Sequence, residues 1–288
     1  MLTALPDRAA ELAAAFRAAH YRDERPLIFA DPFALRLASP GWRAICRYGP
    51  VRHFVFERLY GKYRPLRGHL LYQARIAEDW LEQFVDAGGR QYVLVGAGLD
   101  SFALRRTDLA SQLRVFEVDR QAAQRAKRDR VSSLGLEPEN VEWIPLDDAR
   151  ESLHDALRRS TFRFHRPAFV SWLGFSRCLD EQPLVDVLYG LAEVAVPGTR
   201  VAVGYLVAEQ LDGAGGNRVL DAMTREGYGA HRAQPTEAAF VEAVEATGFR
   251  VLETVGPAEQ DSYFAARTDG LTGIAASRMA LLELEPPR

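Results

Sequence analysis

A short apolar run that breaks into paired glycines constrains the fold of this chain more than any other feature of its sequence. Residues 91–100 read Gln-Tyr-Val-Leu-Val-Gly-Ala-Gly-Leu-Asp, and a helix start follows at Ser101. Strand, glycine turn and helix N-terminus in this order predict the first unit of a nucleotide-binding α/β sheet. Gly96 permits a tight turn, and Gly98 lets the backbone come close to a ligand.

Composition and charge narrow the class of protein. With 288 residues, 48% of them hydrophobic and 26% charged, the chain fits one large soluble domain, or one domain with an elaborated cap. A net charge of −3 favours neither nucleic acid nor an acidic membrane as the main partner. The two cysteines, Cys46 and Cys178, form neither a disulfide framework nor a zinc-ligand pattern. Since the sequence shows no signal-peptide pattern and no apolar run of membrane-spanning length, we expect a cytoplasmic protein without a metal site.

Strands alternate with helices along the chain. A helix at His69–Val85 leads into the glycine stretch, and six later apolar runs predict strands at 113–118, 141–144, 167–172, 200–206, 249–254 and 278–284. This alternation predicts an α/β fold with a doubly wound, mostly parallel sheet, into which the last strand could insert antiparallel. We divide the chain into an N-terminal helical cap with its lead-in helix, residues 1–88, and a nucleotide-binding domain, residues 89–288.

The cap region combines helical and basic segments. Residues 6–21 predict a helix, and Asp31 before Pro32 is suited to cap a second one. Between Arg43 and Arg67 the sequence is rich in Arg, Tyr, Phe and His. This composition is typical of short amphipathic helices with solvated basic faces. It also suits a lid over an anionic substrate, because guanidinium groups pair with carboxylates and aromatic rings exclude water.

Acidic residues follow the second and third predicted strands. Asp119 stands 21 positions after Gly98, where nucleotide-binding sheets place an acid that accepts hydrogen bonds from ribose hydroxyls. Asp119 could also cap the helix that follows, and Glu117, two residues earlier on the same face, is the competing ribose ligand. Asp147 and Asp148 could accept a hydrogen bond from an adenine amino group, or one of them could cap the next helix.

The glycine loop favours a methyl donor over a dinucleotide. A dinucleotide loop needs a third glycine three residues after the second, so that the helix amides can meet the pyrophosphate. Here Ser101 takes that place beside Asp100, whose carboxylate would repel a pyrophosphate. The loop also lacks a phosphate-binding Walker lysine. S-adenosylmethionine has no phosphate and carries an ammonium and a sulfonium, so it tolerates a nearby acid.

Five segments together resemble one known family. They are Arg25–Ala34 with its Asp-Pro pair, the glycine motif Val93–Arg105, and the strand-end motifs Val115–Asp119, Ile144–Asp147 and Ser171–Gly174. Similar motifs characterise the leucine carboxyl methyltransferase family of class I methyltransferases, which includes bacterial and polyketide-tailoring O-methyltransferases. The resemblance covers nearly the whole chain. It implies an S-adenosylmethionine-dependent O-methyltransferase with a seven-stranded class I sheet and an N-terminal helical cap, and it makes secondary metabolism a candidate setting.

The resemblance also implies which residues hold the methyl donor. Arg75, in the helix before the glycine stretch, would grip the methionyl carboxylate, and Asp119 would bind the ribose. The other implied contacts, to the methionyl part, the adenine and the end of the fourth strand, come from Gly96, Ala97, Gly98, Asp147, Asp148 and Trp172.

Two positions after the fourth strand depart from the family's pattern. The family often has an acid before glycine there and a tyrosine further on, whereas this chain has Leu173 before Gly174, and Cys178. We therefore expect an altered substrate pocket. The regulatory member of the family acts on a phosphatase C-terminus, and nothing in this sequence supports that substrate.

The acceptor is the least determined part of the reaction. A carboxylate is ionised at pH 7 and needs no general base, whereas a phenol or alcohol would use one, most often His. None of the six histidines lies in a recognisable motif, and His53 and His69, in or near the predicted lid, are the candidate bases. Our first hypothesis is methylation of a carboxylate on a small molecule or peptide, positioned by Arg17, Tyr21 and Arg64 of the cap.

Three alternatives remain open from the sequence. The acceptor could be a phenolic hydroxyl. The protein could bind the cofactor without transferring its methyl group, a possibility raised by Leu173 and Cys178. It could also be a NAD-dependent oxidoreductase, which a comparison of thermal stabilisation by S-adenosylhomocysteine and by NAD would separate.

Overall fold

A seven-stranded sheet forms the centre of the fold in a computed structural model, which describes residues 8–147, 150–173, 181–207 and 235–286. The strand order is β3-β2-β1-β4-β5-β7-β6. The strands are β1 (Gln91–Val95), β2 (Arg114–Asp119), β3 (Val141–Pro145), β4 (Phe169–Trp172), β5 (Arg200–Leu206), β6 (Phe249–Val255) and β7 (Ser277–Leu284). Strands β1 to β5 pair in parallel, and β7 inserts antiparallel between β5 and β6. The predicted doubly wound sheet is confirmed, together with its antiparallel last strand.

Helices cover both faces of this sheet. They are α1 (Arg8–Asp23), α2 (Ala34–Leu37), α3 (Pro40–Arg47), α4 (Gly49–Phe54), α5 (Arg64–Asp86), α6 (Phe102–Arg105), α7 (Gln121–Ser133), α8 (Leu153–Arg158), α9 (Glu181–Val194), α10 (Glu237–Ala246) and α11 (Pro257–Phe264). A π-helix at Val55–Leu59 and a 3₁₀ turn at Gly61–Tyr63 connect α4 to α5. Among the described helices, none combines the length and the apolar character needed to cross a bilayer.

The continuous apolar strands follow from burial on both faces. In β1, Tyr92 and Leu94 pack with Trp80 and Phe84 of α5, whereas Val93 belongs to the core on the opposite face. Parallel strands covered on both sides read as uninterrupted hydrophobic runs for this reason. Polar side chains within the central strands, such as Glu117 and Ser171, are buried, whereas those at the strand ends can meet a ligand.

The cap consists of short helical pieces packed on α1 and α5. Prolines at the first turns of α3 and α4 fix where these helices begin, as expected from the missing amide hydrogen of proline. Helix α5 begins at Arg64 rather than at the predicted His69, because Pro65 starts it a turn earlier. Arg64 and Arg67 therefore lie on α5 and not in the preceding basic loop.

Candidate functional site

A cavity opens at the carboxyl ends of β1, β2 and β4, where parallel α/β sheets bind their ligands. Its accessible volume is about 200 Å³. Its walls come from the glycine loop, the ends of these strands, and one face each of α1 and α5. The lining residues are Ala9, Ala10, Ala13, Arg17, Leu70, Gln73, Ala74, Val95, Gly96, Ala97, Gly98, Leu99, Asp100, Val118, Asp119, Arg120, Leu146, Trp172 and Leu173.

The glycine loop has the backbone conformation that its sequence predicts. Gly96 and Gly98 have φ angles of 69° and 47°, in the left-handed region that favours glycine. The amide of Gly96 donates to the carbonyl of Val118 at 2.8 Å, which ties the loop to β2. A Cβ added at Gly98 would lie 3.2 Å from Ala10 of α1, whereas one at Gly96 would meet no atom within 4 Å. The loop therefore leaves open space at Gly96 and is packed closely at Gly98.

Asp119 holds the glycine loop from the end of β2. One carboxylate oxygen, Oδ2, accepts the Gly98 amide at 2.7 Å, and the other, Oδ1, accepts the Arg120 amide at 2.7 Å. A carboxylate has about four acceptor positions. Asp119 can accept these two amides and still accept from a ligand hydroxyl in the cavity.

Glu117, the competing candidate for the ribose, does not line the cavity. Its residue is 1% exposed, and its Oε2 lies 2.5 Å from Nζ of Lys127 on α7. Burial raises the pKa of Glu117, and the positive charge of Lys127 opposes that rise. This ion pair attaches α7 to β2, so Asp119 is the acid that β2 presents to the cavity.

Asp100 places a second carboxylate in the cavity wall. Its Oδ1 accepts the Phe102 amide at 2.6 Å at the start of α6. The amides that would meet a pyrophosphate in a dinucleotide site are thus next to a negative charge, which repels such a ligand. The neighbouring Ser101 is buried, and its hydroxyl accepts a hydrogen bond from Arg105 Nε at 2.8 Å.

Arg17 joins the cap to the glycine loop. Its Nη2 donates to the Leu99 carbonyl at 2.8 Å, and its Nε donates to Asp31 Oδ2 at 2.8 Å. The buried Asp31 also accepts the amides of Phe33 and Ala34 in the turn before α2, although the helix begins at Ala34 and its N-cap is Phe33 rather than the predicted Asp31. The Asp-Pro segment therefore orients the arginine that contacts the loop.

Helix α5 presents Gln73, and not Arg75, to the cavity. Residues two positions apart on a helix point about 200° away from each other. The side chain of Arg75 therefore lies on the opposite side of α5 from that of Gln73. Its Nε donates to Asp79 at 2.9 Å, and its side chain is 51% exposed. The structure therefore does not bring Arg75 to the site where the resemblance implies a contact. Gln73 lies in no recognisable sequence motif. Its position one turn after the apolar Leu70 could have indicated that it shares the inward face of α5.

The other cap candidates lie outside the cavity wall. Tyr21 and His53 are exposed, and Arg64 forms an ion pair with Glu57. His69 is fully buried within α5, where desolvation lowers its pKa to about 3 against the smaller opposing effect of a hydrogen bond with Gln73. The cap thus contributes Arg17 and the alanines of α1 to the cavity, and none of the proposed histidine bases.

At the far end, Leu146, Trp172 and Leu173 form an apolar wall. Asp147 is not among the residues that line the cavity: its side chain is 54% exposed, its Oδ2 lies 3.5 Å from Arg150 Nε, and its backbone amide donates to Glu151 Oε1 at 2.9 Å. Asp148 and Cys178 lie outside the described residues. Leu173, at the position where the family often has an acid, makes this wall apolar.

These residues fit S-adenosylmethionine better than a phosphate-containing cofactor. The methyl donor brings cationic ammonium and sulfonium groups, which the carboxylates of Asp100 and Asp119 favour by charge. Its ribose hydroxyls suit the acceptor positions that remain on Asp119. The open space beside Gly96 admits a ligand next to the backbone.

Comparison with known proteins gives the same assignment. The sequence profile of the leucine carboxyl methyltransferase family matches residues 10–192. A Bacillus subtilis protein named as an S-adenosyl-L-methionine-dependent methyltransferase, YktD, is 26% identical over 209 residues, which is 70% of this chain and 68% of that protein. A similarly named Mycobacterium leprae protein, ML2020, is 28% identical over 207 residues, covering 68% of this chain and 62% of its own length.

Solved structures share the fold at low sequence identity. A crystal structure titled as a methyltransferase from Thermobifida fusca has a TM-score of 0.61 at 13% identity, covering 96% of this chain and 95% of that one. A DUF574 family protein from Streptomyces avermitilis has a TM-score of 0.57 at 19% identity and covers 97% and 99%. With the family profile spanning more than half of its length, the chain belongs to the leucine carboxyl methyltransferase family of S-adenosylmethionine-dependent methyltransferases.

Proposed function

We propose that the enzyme is an O-methyltransferase that esterifies a carboxylate on a small molecule or peptide. One observation carries this proposal: the described cavity wall contains two aspartates and two arginines but no His, Lys, Cys or Tyr. A phenol or alcohol would benefit from a general base in contact with it, and His is the usual one. A carboxylate arrives ionised at neutral pH and needs none.

The reaction then requires positioning and dehydration more than proton transfer. Bound S-adenosylmethionine supplies a methyl group activated by its sulfonium. An acceptor oxygen bonds to the methyl carbon while the carbon–sulfur bond breaks, which leaves a methyl ester and S-adenosylhomocysteine. The apolar wall of Leu70, Trp172 and Leu173 removes water from the carboxylate, and a dehydrated, aligned nucleophile reacts faster.

Charge in the wall supports the same acceptor. Arg17 of α1 lines the cavity, and its hydrogen bonds to Asp31 and to the Leu99 carbonyl fix the orientation of its guanidinium. We propose that Arg17 attracts the acceptor or the cofactor carboxylate, that Asp119 binds the ribose, and that Gln73 supplies a neutral amide on the α5 side. Arg75 is left out of this proposal because its guanidinium lies outside the wall.

The chemistry of the product tests the proposal. We would incubate the enzyme with isotopically methyl-labelled S-adenosylmethionine and matched pairs of acceptors that carry either a carboxylate or a phenol on the same scaffold. A carboxylate acceptor gives a methyl ester, which releases labelled methanol in mild base, whereas a phenol gives an aryl ether that survives base. Base-stable label on the phenols, with none on the carboxylates, would contradict the proposal.

A control separates acceptor choice from cofactor binding. Calorimetric titration with S-adenosylhomocysteine reports whether the cavity binds the cofactor's product, independently of any acceptor. If S-adenosylhomocysteine binds and no acceptor of either class is methylated, then the reading as a cofactor-binding protein without methyl transfer replaces ours.

A further inference from the structure

Exposed apolar side chains cluster on the outer face of the cap. In the part of the chain that the structure describes, six large hydrophobic side chains are well exposed, and four of them lie between positions 48 and 59. These are Tyr48, Val51, Phe54 and Leu59, with exposed fractions of 61, 46, 57 and 56%. Scattered exposed apolar residues are ordinary, whereas a group confined to one segment marks an interaction surface.

The four side chains are exposed because the inner face of the same segment is already filled. Cys46, Val55 and Phe56 are buried, and the Phe56 ring lies 5.8 Å from Phe16 of α1 and 5.9 Å from Trp42. Protein cores are packed to crystal density, so a second set of large side chains has no room on that side. The segment therefore has two apolar faces, and the structure covers one of them.

Basic residues accompany the exposed apolar face. Residues 43–62 contain five Lys and Arg side chains and one acid, a net charge of +4 within a chain of net charge −3, so the rest of the chain carries −7. Arg43, Arg47, Arg58 and Lys62 are exposed. The one acid, Glu57, is paired with Arg64 of α5, and the fifth cation, Arg52, turns inward to Asp23. The exposed charged residues of this face are thus all basic, and its one acid, Glu57, is partly exposed and ion-paired.

We propose that residues 43–62, the basic apolar patch, dock the enzyme on an anionic lipid surface. Apolar side chains next to Lys and Arg are the combination by which peripheral proteins enter the interface while their cations meet acidic headgroups. A second copy of the chain suits this patch poorly, because a two-fold dimer through it would set its cations against one another.

Docking in this way leaves the methyl-transfer site intact. Helix α1 separates the two features: Ala10 and Ala13 line the cavity, and Phe16 packs under the patch against Phe56. The net charge of the whole chain does not indicate this surface, because the value of −3 is the sum of a positive patch and an acidic remainder. The negative remainder would also orient the molecule, with the patch toward an acidic membrane.

Vesicle co-sedimentation of the full chain tests the proposal. We expect binding to vesicles of phosphatidylcholine mixed with phosphatidylserine, and little binding to phosphatidylcholine alone. Arg43→Gln with Arg47→Gln should weaken binding by about fivefold per charge, from about 1 kcal/mol for each cation near an acidic surface. Phe54→Ser with Leu59→Ser should weaken it on the order of tenfold or more, because both side chains lose apolar burial.

Matched controls distinguish docking from general charge or misfolding. Arg163→Gln with Arg166→Gln removes two exposed arginines before β4, at the end of the sheet opposite the cavity, and Tyr189→Ser removes an exposed ring on α9. Both control proteins should bind vesicles as the unmodified chain does, and all variants should bind S-adenosylhomocysteine normally. Absence of vesicle binding by the unmodified chain, equal losses in patch and control variants, or self-association that only the patch variants abolish would overturn the proposal.

Discussion

Two acids two positions apart on β2 have different surroundings. Glu117 is sealed between β2 and α7 and is neutralised by Lys127, whereas Asp119 stands at the strand end and accepts two backbone amides. Alternate residues of a strand share a face, so the difference arises from where the strand ends and α7 begins covering it. Position along the strand, rather than residue type, makes one acid structural and the other available to a ligand.

Asp119→Asn should weaken S-adenosylhomocysteine binding by roughly 10- to 100-fold. Hydrogen bonds to a charged group contribute about 1.5–3 kcal/mol, and asparagine keeps the size of the side chain while it removes the charge. Isothermal titration calorimetry measures the affinity. Asp108→Asn, in the turn after α6 and outside the cavity wall, is the control and should leave the affinity unchanged. Equal affinities for all three proteins would remove Asp119 from the site.

His69 should make the protein less stable in acid. Burial lowers its folded-state pKa to about 3, below the unfolded value near 6.5, so between these values the unfolded chain binds the extra proton. The stability from this group is fully present above pH 6.5 and is lost as pH falls toward 3. The loss is about 1.4 kcal/mol per pH unit over that range.

Urea denaturation at pH 7 and pH 5 measures this effect. The difference in unfolding free energy between the two pH values should shrink in His69→Gln and stay as it is in His165→Gln, whose residue is exposed. Carboxylates contribute to both proteins alike and cancel in the comparison. A pH dependence that is the same in all three would show that His69 titrates normally.

At the scale of elements, α5 packs Trp80 and Phe84 on the sheet and presents different faces to the cavity and to solvent. Leu70, Gln73 and Ala74 line the cavity, and the opposite face holds the Arg75–Asp79 ion pair. Strand β5 accommodates this face through Gly204, where an added Cβ would lie 2.1 Å from Gln73 Nε2. Because Gly204 has no side chain, the side-chain amide of Gln73 can lie beside the cavity.

Gly204→Ala should destabilise the protein by about 1 kcal/mol, the low end of the cost of overpacking a core, because the obstructing Gln73 amide ends a flexible side chain and can move aside. In the double variant Gly204→Ala with Gln73→Ala, the obstructing side chain is shortened, so much of the lost stability should be recovered. The two substitutions should therefore couple in a double-mutant cycle. Gly41→Ala, where an added Cβ meets no atom within 4 Å, is the control and should leave stability unchanged or raise it by up to about 1 kcal/mol. Additive effects of the two core substitutions would argue against direct contact.

At the scale of the whole molecule, the cap and the sheet build one site. Arg17 of α1 reaches Leu99 of the glycine loop across 82 positions of sequence, and Ala10 packs on Gly98. A ligand in the cavity touches both parts of the chain and binds only when they are assembled. Its binding free energy should therefore add to the stability of the whole fold.

S-adenosylhomocysteine at about 100 times its dissociation constant should raise the melting temperature by roughly 5–10 °C. A ligand at that concentration adds about 2.7 kcal/mol, and a chain of this size shifts by a few degrees per kcal/mol. NAD should produce no shift, because Asp100 opposes a pyrophosphate at the loop. Differential scanning fluorimetry with both ligands compares them directly, and a larger shift with NAD would favour an oxidoreductase.

Local sequence determined the strands, the glycine loop and Asp119. Continuous apolar runs in strands, the φ preference of glycine and the position of an acid after a strand are set within a few residues, so they can be read without long-range contacts. For the same reason the sheet and its antiparallel last strand followed from alternating runs. The resemblance to one family rested on motifs of this local kind.

Tertiary structure alone decided which side chains of the cap and of α5 meet the cavity. The rotation of α5 is set by its packing on the sheet, and it turns Gln73 inward and Arg75 out. Nothing in the sequence favours one of the four cap candidates, Arg17, Tyr21, His53 and Arg64, over the others. Of these four, only Arg17 lies against the glycine loop. Contacts between segments distant in sequence depend on how the whole core packs, and no local pattern encodes that packing.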